Sequence, residues 1–154
     1  MKFLGIVLVL AAAGAGVYYF FPDLFVDAPN ERTAQDAVAD HVEKQSKVIG
    51  IDLFQKTDGQ ERTDEAGVRR YTLEYKCVAK FKKATMWSFI GNRFVTVDPL
   101  PEDASKKERK ATAGIMAGKT LAKAGDTVML KGAVEFEHKE SGWTVTGVTV
   151  GRDR

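Results

Sequence analysis

Arg70-Tyr71-Thr72-Leu73-Glu74-Tyr75-Lys76-Cys77-Val78-Ala79-Lys80-Phe81-Lys82 is the stretch whose pattern decides the fold. In an extended chain Tyr71, Leu73, Tyr75, Cys77, Ala79 and Phe81 fall on one side. Arg70, Thr72, Glu74, Lys76, Val78, Lys80 and Lys82 fall on the other. Successive side chains of a strand point to opposite faces, so this alternation makes one dry face and one wet face. The stretch predicts a strand of an antiparallel sheet covered on one side only.

Working outward, Val48 to Lys56 repeats the pattern, with Ile49, Ile51 and Leu53 set against Gly50, Asp52 and Phe54. Thr57-Asp58-Gly59 is a turn signal, and the polar tract Gln60 to Gly67 reads as a loop. Before these strands a helix is expected from Glu31 to Gln45, with Thr33 and Asp36 in a capping-box pattern. Ala34, Ala37, Val38, His41 and Val42 recur at three and four positions, giving that helix one apolar stripe. After the central strand, Met86 to Ile90 and Arg93 to Val97 flank Gly91-Asn92, which predicts a type II′ hairpin. Glu102 to Ala124 is rich in Ala and Lys and reads either as a helix stopping at Gly125 or as an insertion. Thr127 to His138 and Trp143 to Val150 read as two more strands around the turn Glu140-Ser141-Gly142.

The chain has 154 residues, 23 basic and 21 acidic, and one cysteine, Cys77. Length fits one domain. The near-balance of charge lacks the basic field of a dedicated nucleic-acid binder, so no nucleic acid is expected as partner. A lone cysteine excludes an intrachain disulfide and a zinc site of four cysteines. The one composition shift lies at the start. Phe3 to Phe21 holds no charged residue. As a helix it would be about 30 Å long, close to the thickness of a bilayer's hydrocarbon core.

Two readings of residues 1–21 stay open. A cleaved signal would use the small-residue sites at Ala11-Ala12-Ala13 or Ala13-Gly14-Ala15. A retained anchor explains why the apolar character continues through Val17-Tyr18-Tyr19-Phe20-Phe21 to Pro22 and Asp23. Lys2 lies before the run, and Asp23, Asp27 and Glu31 follow it with no basic residue until Arg32. The positive-inside rule then puts the N-terminus in the cytoplasm and the domain in the periplasm or outside the cell. No cysteine lies just after the run, which excludes a lipidated-cysteine tether. The expected organisation is an anchor or signal over 1–21, a linker over 22–30 and an α+β domain over 31–154.

Val134-Glu135-Phe136-Glu137-His138-Lys139-Glu140-Ser141-Gly142-Trp143 is similar to the strand–turn–strand ending of small exported bacterial domains of the cystatin-like and NTF2-like kind. In those a strand carrying Phe meets a Gly-Trp that opens the last strand. The resemblance covers the C-terminal third and brings no catalytic residues with it. It implies a curved antiparallel sheet packed on one helix, here behind an N-terminal transmembrane helix.

Sites of chemistry are sparse. His41 and His138 lie far apart in sequence and have no Cys or His neighbour at ligand spacing, so no metal is expected. Cys77 sits on the dry face of its strand, where a thiol is a small apolar filler. Gly114 to Thr120 resembles a phosphate-binding loop but is one residue short between its glycines. No cofactor is expected. Lys80, Lys82 and Lys83 form one basic cluster, and Lys106, Lys107, Arg109 and Lys110 another. The strongest candidate binding residues are Trp87, Phe89, Ile90 and Phe94, which crowd the hairpin with little polar spacing. Two functions are carried forward. One is a membrane-anchored extracytoplasmic binding or assembly module without catalysis, contacting the membrane through residues 1–21 and a protein partner in the envelope. The other is a small pocket of the NTF2-like kind, ligand-binding or enzymatic and exported by a cleaved signal, lined by Asp52, Tyr71 and Tyr75.

Overall fold

The computed structural model describes residues 28 to 153. In chain order these form α1 (Glu31–Gln45), β1 (Ile49–Thr63), β2 (Arg69–Phe81), β3 (Thr85–Ile90), β4 (Arg93–Val97), α2 (Lys106–Met116), β5 (Thr120–Ala122), β6 (Thr127–Lys139) and β7 (Gly142–Arg152). Two antiparallel sheets result, one in the order β1-β2-β6-β7 and a smaller one in the order β4-β3-β5.

β2 lies inside the large sheet and carries the alternation as read. Leu73, Tyr75, Cys77, Ala79 and Phe81 are buried, while Glu74, Lys76 and Lys80 are exposed. Its inner face meets Ala34, Val38 and Val42 of α1 in one core with Leu130, Val134 and Phe136 of β6. The helix starts where its apolar stripe demands, but its cap is Asn30. That side chain accepts from the Arg32 N–H at 2.8 Å, leaving Thr33 inside the first turn.

β1 departs from the sequence reading in two places. A bulge between Ile51 and Leu53 shifts its register against β2 by one residue. Because side chains alternate with period two, the residues from Leu53 to Lys56, up to the next bulge, change face. Leu53 turns outward and is 66% exposed. Phe54 turns inward and stacks on Tyr75 with ring centroids 5.0 Å apart. A second bulge falls between Lys56 and Asp58, so Thr57-Asp58-Gly59 bends the strand without ending it. The reversal comes instead at Asp64, whose carboxylate accepts from the N–H groups of Ala66 and Val68 at 3.0 Å each. Two glycines in this sheet make room for tyrosines. A Cβ on Gly59 would lie 2.0 Å from the Tyr71 hydroxyl, and one on Gly132 would lie 1.9 Å from the Thr149 carbonyl oxygen.

The expectation of a single curved sheet packed on one helix does not hold. The described residues are 52% strand and 21% helix, which makes the fold sheet-rich, with two sheets and two helices. Both sides of β2 are taken, by β1 and β6, so the β3–β4 hairpin has no place beside it. In the stretch from Glu102 to Ala124, read either as a helix or as an insertion, the helix ends at Met116. The chain turns at Gly118, with φ at +70°, and then supplies β5, which pairs with β3. The hairpin and β5 therefore build a sheet of their own. Among the described residues no helix is long and apolar enough to cross a membrane. The apolar run over 1–21 lies outside the described residues.

The end of β7 fastens the large sheet. Lys76 and Lys131 stand opposite one another on β2 and β6. Asp153 reaches both, at 3.0 Å and 2.9 Å. Hydrogen bonds from Lys131 and then Lys76 hold the Asp153 carboxyl below its ordinary value of 3.8. A lowered carboxyl contributes stability that is present above pH 3.8 and is lost as pH falls through its folded value. Asp153→Asn is therefore expected to flatten the acid limb of stability. Urea midpoints at pH 6 and pH 3 check this, with a smaller difference between them in the variant than in the parent.

Candidate binding surface

The small sheet divides the hairpin residues between two faces. Trp87 and Phe94 point inward and are 8% and 4% exposed. Trp87 packs on Phe81 of β2 at 5.2 Å between centroids and on Phe94 at 5.9 Å. Phe89 meets Phe94 edge to face at 5.0 Å and is half-buried. The Arg152 guanidinium lies 5.3 Å from the centre of the Trp87 ring and ties β7 to this cluster. Ile90 points the other way and is 66% exposed.

The end of α1 orients the sheet. The Gln45 side-chain oxygen accepts from the Phe94 N–H at 2.9 Å, and the Ser46 hydroxyl lies 2.9 Å from that of Thr96. At the tip, Gly91 and Asn92 both have positive φ, +57° and +61°. That makes a type I′ turn in place of the expected type II′, and Asn is among the residues that tolerate the left-handed region.

Register places the outward residues in rows. Met86 faces Val97 on one side and Leu121 on the other; Ser88 faces Val95; Ile90 faces Arg93. Leu121 is 51% exposed and Val95 39%. Between them the Ser88 hydroxyl is buried with no hydrogen-bond partner among the described residues. The result is a contiguous apolar strip across three strands with one charge, Arg93, at its tip. None of the residues of α2 is buried, so that helix does not pack tightly against the strip. Of the four hairpin residues singled out in the sequence, Ile90 lies on this strip and Trp87, Phe89 and Phe94 form its underside. Sequence reasoning passed over Val95 and Leu121. Alternation along Arg93 to Val97 is enough to find Val95. Leu121 becomes legible only once β5 is known to be a strand.

The other candidates are dispersed. Asp52 sits on the bulge of β1, 3.9 Å from Lys80, on the outer side of the sheet. Tyr71 and Tyr75 lie inside it, 8% and 1% exposed. The Tyr71 hydroxyl accepts from Lys56 at 3.0 Å, and the Tyr75 hydroxyl donates to the Thr149 carbonyl at 2.9 Å. The three do not converge, and the inner face between the tyrosines is filled by Leu73, Leu130, Val134 and Phe136, each 1% exposed or less. His41 lies 2.9 Å from the Gln45 amide nitrogen, and the His138 ring packs edge to face on Trp143. No group of three or more His, Cys, Asp or Glu side chains among the described residues is placed to hold a metal. The strand lysines are balanced by carboxylates, Lys82 at 3.8 Å from Glu43 and Lys83 at 2.6 Å from Asp98. Arg109 folds back from α2 to donate to the Glu102 and Ala104 carbonyls just before the helix.

Burial pushes the Cys77 thiol up to about 12. The thiolate is the reactive form, so at pH 8 the native thiol is inert. An aromatic disulfide reagent is expected to leave Cys77 unreacted over an hour in the folded protein and to titrate it fully once urea is added.

The chain matches no family model, no curated protein and no solved structure.

Proposed function

We propose that the chain is a non-catalytic binding or assembly module, held at a membrane by its apolar N-terminal stretch and exposed on the far side. The outer face of the small sheet is the surface that meets a protein partner in the envelope. The observation that carries this reading is the strip of Ile90, Val95 and Leu121, all exposed and set beside Met86 and Val97 on the same face. Contiguous apolar surface on a folded domain marks an interaction site far more often than scattered single residues do. The tight packing of Trp87 and Phe94 beneath it gives the strip a rigid base, which lowers the entropy lost on binding. The membrane placement draws on the uncharged run Phe3 to Phe21 and on the charges either side of it.

A paired substitution, Ile90→Ser with Leu121→Ser, separates binding from folding. Both side chains are more than half exposed, so stability is expected to change by no more than about 0.5 kcal/mol. Native gels of mildly solubilised membranes are expected to show the parent in a larger complex and the variant released from it. A complex that survives the double substitution contradicts the reading.

A further inference from the structure

Among the described residues β7 is paired on one side only, by β6. A strand in that position presents a row of backbone donors and acceptors, and folds commonly blunt such edges with charge, bulges or a covering side chain. The other long edge in this fold is blunted in all three ways. β1 carries Asp52, Lys56, Asp58, Glu61 and Arg62 and two bulges. Its Lys56 N–H is taken by the Glu31 carboxylate at 3.2 Å. In the small sheet β4 is five residues long, and its Phe94 N–H is taken by Gln45. β7 lacks the charge: Gly142 to Gly151 contains no charged residue and no proline. Its one irregularity, at Thr146, adds twist but no charge.

Beside the edge runs a groove of about 420 Å³ between α1 and β7, floored by Ala37, Val145 and Val148 and rimmed by Asp40, His41 and Lys44. Val145 and Val148 share the inner face of the sheet with Phe136 and Val134, their register partners. A strand added to β7 would set its own inward side chains over this groove, which is the arrangement by which added strands gain both backbone bonds and side-chain pockets.

We propose that β7 pairs with β7 of a second copy of this chain, antiparallel about a two-fold axis near Gly147, joining two four-stranded sheets into one of eight strands. A two-fold axis places residues near it opposite their own equivalents, so any charge there would meet its like. A charge-free run is the condition such pairing needs, and β7 meets it where β1 does not. The inward valines of each copy then lie over the groove of the other.

The test is sedimentation equilibrium of the full chain in density-matched nonionic micelles, comparing the parent with Thr146→Lys. The Thr146 side chain is exposed, and the substitution brings two lysines together at the axis. The parent is expected to sediment as two chains and the variant as one, with the same far-ultraviolet circular dichroism. If Thr146→Lys perturbs the dichroism, Thr144→Lys serves in its place. Thr146→Cys is expected to form a disulfide between copies on mild oxidation, and Gln60→Cys in β1 is not; Cys77 is buried and does not compete. A monomeric parent overturns the proposal. So does a dimer that persists in the lysine variants, since its contacts then lie elsewhere.

Discussion

Trp87→Ala is expected to lower the unfolding free energy by about 4 kcal/mol, near the middle of the range for aromatic truncation in a core. The indole is 8% exposed and bridges three parts of the fold: Phe81 of the large sheet, Phe94 of its own hairpin and Arg152 at the end of β7. Removing it opens a cavity at the junction of the two sheets that rigid strands on both sides do not refill. The loss is expected to appear as a lower urea midpoint for the whole domain, because the small sheet has few other ties to the large one. Ile90→Ala, three residues along on the opposite face, is expected to cost less than about 1 kcal/mol. The contrast between the two measures how sharply the hairpin is divided between core and surface.

Gly132→Ala is expected to cost about 3 kcal/mol, at the upper end for overpacking. The added Cβ would lie 1.9 Å from the Thr149 carbonyl oxygen and 2.9 Å from the Tyr75 hydroxyl. The nearer obstacle is backbone, so no side-chain rotation relieves it. At this point Tyr75 reaches from β2 past Gly132 of β6 to donate to Thr149 of β7. The Ala133 N–H meanwhile donates to the Thr149 hydroxyl at 3.0 Å. Tyr75→Phe removes the donor and leaves the Thr149 carbonyl under-satisfied, a loss of about 1 kcal/mol. It is not expected to rescue Gly132→Ala, since the carbonyl stays in place. Urea unfolding of the two single variants and the double variant checks both statements.

These effects mark where the sequence could be read and where it could not. The alternation from Arg70 to Lys82 was legible because one face is wet and one dry, and a single strand contains that information. The Leu53–Phe54 exchange was not, because a one-residue bulge leaves no mark in composition yet inverts the side chains that follow it until the next bulge. Thr57-Asp58-Gly59 has turn chemistry, but the strand uses it to bend while a tyrosine lies over Gly59. The crowding of Trp87, Phe89, Ile90 and Phe94 was visible. Which of them faces solvent depends on the position of the hairpin against Phe81 and Gln45, residues outside that segment. β5 was the largest omission. Three residues cannot show a period, and a capped helix just before them favours a helical reading of the whole tract. Without β5 the strip lacks Leu121, and the second sheet is reduced to a hairpin.

The proposed function rests on the strip being a contact surface in the cell, and photo-crosslinking in intact cells addresses that directly. A photoreactive amino acid is placed in turn at Ile90, Val95 and Leu121, and at Thr72 on the outer face of the large sheet as control. The expected result is one discrete adduct of the same mass from all three strip positions and none from Thr72. Equal labelling from Thr72, or no adduct from any strip position, would contradict the assignment of this surface.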